Sequence, residues 1–393
     1  MKSPKTFLCV ETVQKKSVEN ENLLKKIMKF KCNTKNFAEA CIAVSRAVPG
    51  KSTNAALESL YIRSTDAGIM ITGYDGDFAV TGCTDAEIAE EGAFLVKASI
   101  FCEMLKGLPG EYVDISVNER FVIHTVSGVS NFDLNGSDAS VYPELPFVAA
   151  SSPVILEQKV FRDLVRSTVF AVSQEDARVA MRGVKFDFTA NKLSAVALDG
   201  YRVAIRNVAT DYQGSDMSYI IPGKSLTEIV KFLGDDGTIS LNPSDKVISF
   251  GIDGYTIISR LLEGDFIDYK RVLPGSFTTE LGINSREFIS KLSGISFLSS
   301  ADRQKTPVKC VISDGEMTLH IVSDNGVADT KISVEQSGDD IEIGFNVSYI
   351  MDAVRAADTD KIMFKMNKPH SPAAILPVEG DGFYYLVLPI RFR

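Results

Sequence analysis

The residue types that most often carry chemistry are few in this chain of 393 residues, and they are poorly spaced for it. The three histidines, His124, His320 and His370, stand too far apart in sequence for an H-E-x-x-H pair, which would offer a metal two imidazoles from one helix face. Six cysteines (Cys9, Cys32, Cys41, Cys83, Cys102 and Cys310) form no C-x-x-C pair. With no secretory signal ahead of them, they read as reduced, mostly buried thiols of a cytosolic protein. The sequence holds no G-x-S-x-G nucleophile elbow. Two stretches imitate a phosphate-binding loop, "PGKST" from Pro49 and "PGKS" from Pro222. That loop needs a further glycine five residues before its second one, and Ser45 and Ser218 hold those places. Asp199 and Asp314 fall in turn sequences, where aspartate serves by bonding to the backbone. Asn346-Val347-Ser348 has the form of a glycosylation sequon, but at a helix start in a cytosolic protein it is plain chain. With no catalytic constellation, the expectation is a protein that is not an enzyme, with no catalytic residues, no metal and no cofactor.

The elements that must position any site are more informative. A hydrophobic share of 45% and a charged share of 24% are those of an ordinary globular protein, and the length suggests two or three domains at about 150 residues each. No run of about 18 apolar residues is present, so no membrane span is expected. Residues 1–27 carry six lysines and three glutamates around the short apolar stretch "FLCV", too short for a signal-peptide core of roughly 7–15 residues. This segment reads as a disordered N-terminal extension or an over-long start, with "MKFKCNTKNF" from Met28 opening the first strand.

One outline then occurs three times. "VKASIFCEMLKGLPGEYVDISVN" from Val96 reads as helix, turn and strand, and it returns from Ile221 and from Phe345, at offsets of 125 and 124 residues. Ahead of each copy lies a hairpin pattern with apolar residues alternating on both sides of a polar turn; the turns centre near Ala67, Asn191 and Asp314. Earlier still come three amphipathic helices, "TKNFAEACIAVSRAV", "EQKVFRDLVRSTVFAV" and "SREFISKLSGISFL". In the second, Val160, Leu164, Ser167, Thr168 and Ala171 fall on one stripe, with Arg162 and Arg166 on another. Two more strands follow the second helix of each unit, as in "ERFVIHTVSGVSNFDL" and "DKVISFGIDGYTIISRL". Four features at a constant offset imply a duplicated α+β domain of about 120 residues, far longer than a solenoid repeat of about 20–50. The boundaries fall near Ala150 and Ser276, giving domains 28–150, 151–276 and 277–393.

Charge is distributed unevenly over the copies. The formal charge is −9, yet Lys35–Lys51 and Lys159–Arg182 each carry +2 and Arg286–Lys309 carries +3, leaving −16 on the rest. A solvated helix face explains one such stretch; the same bias in three copies points to one shared, mildly basic surface. That surface suits a phosphate backbone, bound through charge and without sequence information.

These residues carry a family resemblance. From Met28 to Arg393 the chain resembles the bacterial DNA sliding clamps, the beta subunits of the replicative DNA polymerase III. The most specific segments are "ALDGYRVA" from Ala197, "LEGDFIDYKRVLP" from Leu262, "IGFNVSYIMDAV" from Ile343 and "YYLVLPIRFR" from Tyr384. The resemblance implies three tandem copies of the clamp domain in each chain. Two chains, head to tail, would form a homodimeric ring around double-stranded DNA with helices lining the hole. It also implies a processivity factor of bacterial DNA replication in the cytoplasm. Its partners would be a clamp loader, the replicative polymerase and other proteins bearing a short clamp-binding peptide.

The family's peptide pocket lies between the second and third domains. Matched position by position, it takes Leu198, Gly200, Tyr201, Arg202 and Val203 from the "DGYRV" region and Met181 just upstream. Arg271 and Val272 come from "DYKRVLP", Asn346 and Tyr349 from the third helix start, and Pro372 from nearby chain. The tail adds Leu386, Val387, Leu388, Pro389, Ile390 and Arg391. Such a set is an apolar slot with a few polar anchors; Val203 and Val387 also fit as plain core. Lys51 falls in the first-domain loop where the family commonly places a DNA-facing cation, and Arg178 is a further DNA-facing candidate. Phe132 and Leu134, in "SNFDLNG", match the family's dimer strand and would meet Phe297 and Leu298 of a second copy. The chain departs from the family in continuing "FR" beyond Arg391. It also has Val179 and Ala180 where some members place tyrosines near DNA. Two rival readings stay open at this point: a three-domain scaffold that never encircles DNA, and an enzyme whose polar site the sequence does not reveal.

Overall fold

The structure is a computed structural model describing residues 27–146, 148, 153–175, 177–300 and 306–391. All but the last residue of the expected N-terminal extension, and the expected boundary at Ala150, lie outside them. The first repeat runs β1 (Met28–Asn33), α1 (Thr34–Val44), β2 (Ser59–Thr65), β3 (Gly68–Tyr74), β4 (Phe78–Thr84), β5 (Ala86–Glu90), β6 (Ala93–Lys97), α2 (Ala98–Lys106), β7 (Tyr112–Val117), β8 (Val122–Ser127) and β9 (Ser130–Asp138). The second is β10 (Val154–Glu157), α3 (Gln158–Arg166), β11 (Gly183–Thr189), β12 (Lys192–Leu198), β13 (Arg202–Ala209), β14 (Met217–Pro222), α4 (Gly223–Ile229), β15 (Thr238–Pro243), β16 (Val247–Ile252) and β17 (Tyr255–Arg260). The third is β18 (Thr279–Asn284), α5 (Ser285–Ser300), β19 (Val308–Ser313), β20 (Glu316–Ser323), β21 (Gly326–Ser333), β22 (Glu335–Gly338), β23 (Ile341–Phe345), α6 (Val347–Ala357), β24 (Lys361–Met366), β25 (Ala373–Pro377) and β26 (Phe383–Val387). The three copies share one element order except that the second has four strands between its helices where the first and third have five, and each expected hairpin turn is present. Asn191 and Asp314 adopt φ of 61° and 51° in theirs, a conformation that Asn and Asp tolerate better than other side chains with a Cβ.

The same local chemistry starts a helix in more than one copy. The carboxamide oxygens of Asn33, Asn284 and Asn346 accept from the backbone N–H groups of Asn36, Glu287 and Ser348 at 3.1, 3.0 and 2.9 Å, satisfying donors that a helix leaves open. α3 is shorter than its sequence pattern. Ser167 and Thr168 direct their hydroxyls back onto the carbonyls of Asp163 and Leu164, and the chain tightens into a 3-10 turn at Val169–Ala171. Phe161, Leu164 and Val165 are the fully buried apolar residues of this helix, Gln158 at its start is buried as well, and Val160 is half-buried.

The chain divides into two compact units, one comprising residues up to Gln158 with Glu228–Leu261, the other Lys159–Thr227 with the chain from Leu262. In the first, an antiparallel sheet of thirteen strands runs β10-β15-β16-β17-β4-β3-β2-β6-β9-β8-β7-β1-β5. Phe37 of α1 is fully buried between Phe30 and Phe101, with ring centroids 5.7 and 6.1 Å away and edge-on geometry. Each such ring removed from water contributes about 1.5–3 kcal/mol. In the second unit, nine strands run β14-β11-β12-β13-β26-β25-β24-β18-β22 and four run β21-β20-β19-β23. There Phe288, Leu292 and Ile295 form the buried stripe of α5 at helical spacing.

Each large sheet contains a join between successive repeats. β17 pairs with β4, with Ile257 opposite Val80, and β26 pairs with β13, with Tyr385 opposite Ala204. In both, the last strand of one repeat meets the third hairpin strand of the repeat before it.

Candidate partner-binding site

The second unit gathers most of the expected pocket around one arginine. The turn between β12 and β13 bends at Gly200, whose φ is 90°, a conformation in which glycine carries no steric cost. Asp199 closes it: one carboxylate oxygen accepts the N–H groups of Tyr201 and Arg202 at 2.9 and 3.0 Å, and the other accepts Arg202 Nε at 3.0 Å. Arg202 Nη1 donates to Asp352 at 2.7 Å, and Nη2 donates to the carbonyl of Phe170. Its guanidinium lies 4.3 Å from the ring centroid of Tyr349 and 5.2 Å from that of Phe170. The side chain is only 12% exposed, so its contacts act in a medium where they are stronger than in water. Burial, and then the Asp199 carboxylate, push the Tyr349 phenol up from its ordinary range, so it stays protonated and neutral at physiological pH.

The C-terminal strand carries the apolar part. Leu386 lies opposite Val203 in the sheet, and these two share a buried cluster with Met181, Leu198, Ile205, Ile220, Tyr269 and Ala374. Tyr384 packs against the cluster, and burial pushes its phenol up to about 12. Beyond β26, the Leu388 N–H donates to the Tyr201 carbonyl at 2.8 Å and the Ile390 N–H to Gly344 at the same distance. Backbone hydrogen bonds thus fix the half-buried tail Leu388–Ile390 against the turn and against β23. Tyr201, 61% exposed, and Val272, 47% exposed, present large apolar surface to solvent, with the two tyrosine rings Tyr201 and Tyr349 6.3 Å apart.

Other expected site residues have different roles. Val387 alternates away from Leu386 and is fully buried, as core. Asn346 is buried and caps α6 with its own carboxamide, so the sequon-like asparagine is spent on the helix. Arg271 is exposed and pairs with Asp268 at 2.8 Å. Pro372 precedes β25 directly; Pro389 is half-buried and Arg391 exposed. Lys51 and Arg178 are exposed in their loops. Of the interface candidates, Phe132 is 40% and Phe297 61% exposed, Leu134 is half-buried, and Leu298 is buried. The sequence reading missed Phe170, Asp352, Tyr269 and Tyr384. Asp352 alone carried a signal, because it follows Tyr349 by three residues on the same helix face.

Elsewhere the chemistry stays unpromising. The N–H of Ser52, in the "PGKST" stretch, donates to the Glu58 carboxylate at 3.0 Å, an arrangement that would repel phosphate. Burial pushes the Cys32 and Cys310 thiols up to about 12, away from nucleophilic thiolate. Among the described residues, no group of three or more His, Cys, Asp or Glu is placed to hold a metal ion, and no helix is long and apolar enough to cross a membrane.

Comparison with known proteins identifies the class. Three family descriptions match in order: the N-terminal domain of the DNA polymerase III beta subunit over residues 28–146, its central domain over 155–268 and its C-terminal domain over 270–391. The beta sliding clamp of Staphylococcus epidermidis is 29% identical, over 93% of this chain and 100% of its own. Among solved structures, a putative DNA polymerase III beta subunit from Eubacterium rectale superposes with a TM-score of 0.89 at 29% identity, covering 93% of this chain and 100% of that one. The DNA polymerase sliding clamp of Bacillus subtilis superposes with a TM-score of 0.89 at 27% identity and the same coverage. The fold is the DNA clamp fold. The chain belongs to the DNA polymerase III beta subunit family, the bacterial sliding clamps.

Proposed function

We propose that two copies of this chain close head to tail into a ring around duplex DNA, and that the ring tethers the replicative polymerase as its processivity factor. The observation that carries this reading is the pair of joins between repeats. Strand β9 ends the first repeat, and Ser130–Asn135 pair with β8 along one edge and, among the described residues, with no strand along the other. Strand β21 is the corresponding hairpin strand of the third repeat and the end of its sheet. Pairing β9 of one copy with β21 of another would repeat the β17–β4 and β26–β13 joins twice over and cover these two edges against aggregation. Phe132 and Leu134 would then pack against Phe297 and Leu298 of the second copy. Domain bounds of 28–150, 151–276 and 277–393 are part of this proposal; the matched C-terminal region begins earlier than the third bound, at residue 270. Lys51 and Arg178 are proposed to face the phosphates, in a bacterial cytoplasm where a separate loader opens the ring.

Retention by enclosure has its own signature. Protein loaded on circular duplex DNA by a clamp loader is expected to stay bound, and to leave within the time of cutting once the circle is made linear. A scaffold that never encircles DNA would show no loader-dependent retention, and persistence on the linear product would mean ordinary binding.

The turn and tail around Arg202 are proposed as the seat of the partner peptide, with Tyr201, Val272 and Leu388 as its apolar contacts. A Gln-Leu-Ser-Leu-Phe peptide is expected to bind with micromolar affinity, about −8 kcal/mol, and at least tenfold more weakly to a Tyr201→Ala, Leu388→Ala variant. Calorimetric titration reads both numbers; equal affinity in the two proteins would move the peptide site elsewhere.

A further inference from the structure

The two strands proposed to pair between copies each carry the same side-chain device. On β8 and β9, His124 lies directly opposite Asp133, and its Nδ1 is 2.6 Å from the carboxylate. On β20 and β21, His320 lies directly opposite Asp329, with Nδ1 at 2.5 Å. Both aspartates are exposed. They alternate with Phe132 and Leu134 on β9, and with Ala328 and Thr330 on β21, so they lie on the opposite face from the apolar contacts.

The joins already present in the chain set the register of the open one. Hairpin β8–β9 closes at Ser127 and Ser130 as β16–β17 closes at Ile252 and Tyr255, which makes Phe132 the counterpart of Ile257 and Asp133 that of Ile258. The offset of 124 residues that relates Val80 to Ala204 relates Ala204 to Ala328. Ile257 faces Val80. Phe132 would therefore face Ala328 of a second copy, Asn131 would face its Asp329, and Asp133 its Val327. Asp133 and the second Asp329 become diagonal neighbours on one face of the shared sheet, at roughly 7–8 Å and within a Debye length at physiological salt.

The joins inside the chain carry nothing of the kind. The positions equivalent to Asp133 are Ile258 and Leu386, and those equivalent to Asp329 are Thr81 and Ile205; all four are uncharged. Only the join between copies would bring two carboxylates together, each backed by its own imidazole.

We propose that the contact between two copies of this chain is a pH-sensitive seam, loosened when His124 and His320 are neutral and tightened when they are protonated. This rests on the ring reading above. Neutral imidazoles leave two anions facing one another; protonated ones turn each side into a balanced His–Asp pair. The assembled form then favours the protonated imidazoles more than the separate chains do, so lower pH favours assembly. The neighbouring groups do not cancel the effect. His124 faces Ser116 of β7, with Asp114 diagonal to it and Lys29 beyond on β1. His320 faces Lys309 of β19, which is engaged by Glu342 of β23 at 2.6 Å. Lys331, on the same face of β21 as Asp329, is engaged by Glu316 at 2.6 Å.

Subunit exchange between two fluorescently labelled pools of the full chain tests the seam, after mass photometry has established the assembled state. Wild-type exchange is expected to be about tenfold slower near pH 6 than near pH 8, while a His124→Asn, His320→Asn variant exchanges at one rate at both. Equal wild-type rates at the two pH values, or an unchanged pH response in the variant, would overturn the proposal. A single-chain mass at both pH values would instead overturn the ring reading beneath it.

Discussion

Replacing Arg202 by alanine is expected to lower the unfolding free energy by about 3 kcal/mol. The change would remove the guanidinium donors from Asp352, from the Phe170 carbonyl and from one oxygen of Asp199, whose other oxygen keeps its two backbone donors. It would also strip the cation from the face of Tyr349, worth about another 0.5–1 kcal/mol. Asp352 is 35% exposed, so water recovers part of its loss, which keeps the figure at the lower end for a buried pair. Urea unfolding followed by tyrosine fluorescence measures the difference. Arg202→Lys should recover less than half of it, because an ammonium cannot reproduce three planar contacts. A variant within about 0.5 kcal/mol of wild type would show that the guanidinium is not a fastening point. The result also bears on the peptide seat. With three of its nitrogens engaged inside the chain, Arg202 shapes the turn that presents Tyr201, and this is why the binding test uses Tyr201 and Leu388 instead.

For the head-to-tail dimer proposed above, exchanging Phe132 and Leu134 for aspartate is expected to leave single chains. The substitutions would place two anions against Phe297 and Leu298 of the second copy, at the centre of the contact, where truncations alone cost about 2 kcal/mol or more each. The loss in association is on the order of a thousandfold or greater. Phe132 is already 40% exposed in the single chain, so the fold should tolerate the change, and circular dichroism checks that it does. Analytical ultracentrifugation at micromolar concentration reads the mass; an unchanged dimer would remove β9 from the contact.

Much of this architecture was legible because it is written three times. The strand and helix starts and the hairpin turns at Asn191 and Asp314 recur at one spacing, and each rests on local chemistry: an asparagine cap, a left-handed turn residue, an alternating strand. What was not legible depends on distant chain. Nothing near Phe170 announces that its carbonyl accepts a guanidinium 32 residues on. Tyr269 looks like part of a connector until it is found in the cluster with Leu198 and Leu386. The stripe assigned to α3 was too long because Ser167 and Thr168 hydroxyls compete for helix carbonyls, a contest that hydrophobic spacing does not register. The DGYRV turn is legible by its resemblance to a family; the bonds among its residues depend on the folded chain.

The place of β26 has a consequence for how the protein is made. Phe383–Val387 lies between β13 and β25 in the nine-stranded sheet, so it joins chain synthesised far apart in time. At about 5–20 residues per second, a ribosome that has finished Ala209 needs on the order of ten to forty seconds to reach Val387. Until then β13 has an uncovered edge, and the residues around Leu198 and Val203 lack the strand that completes their cluster. Among the described strands β26 comes last in chain order and is the one that binds the sheet together, so a chain stopped before Phe383 would keep most of its residues and lack the strand that covers β13.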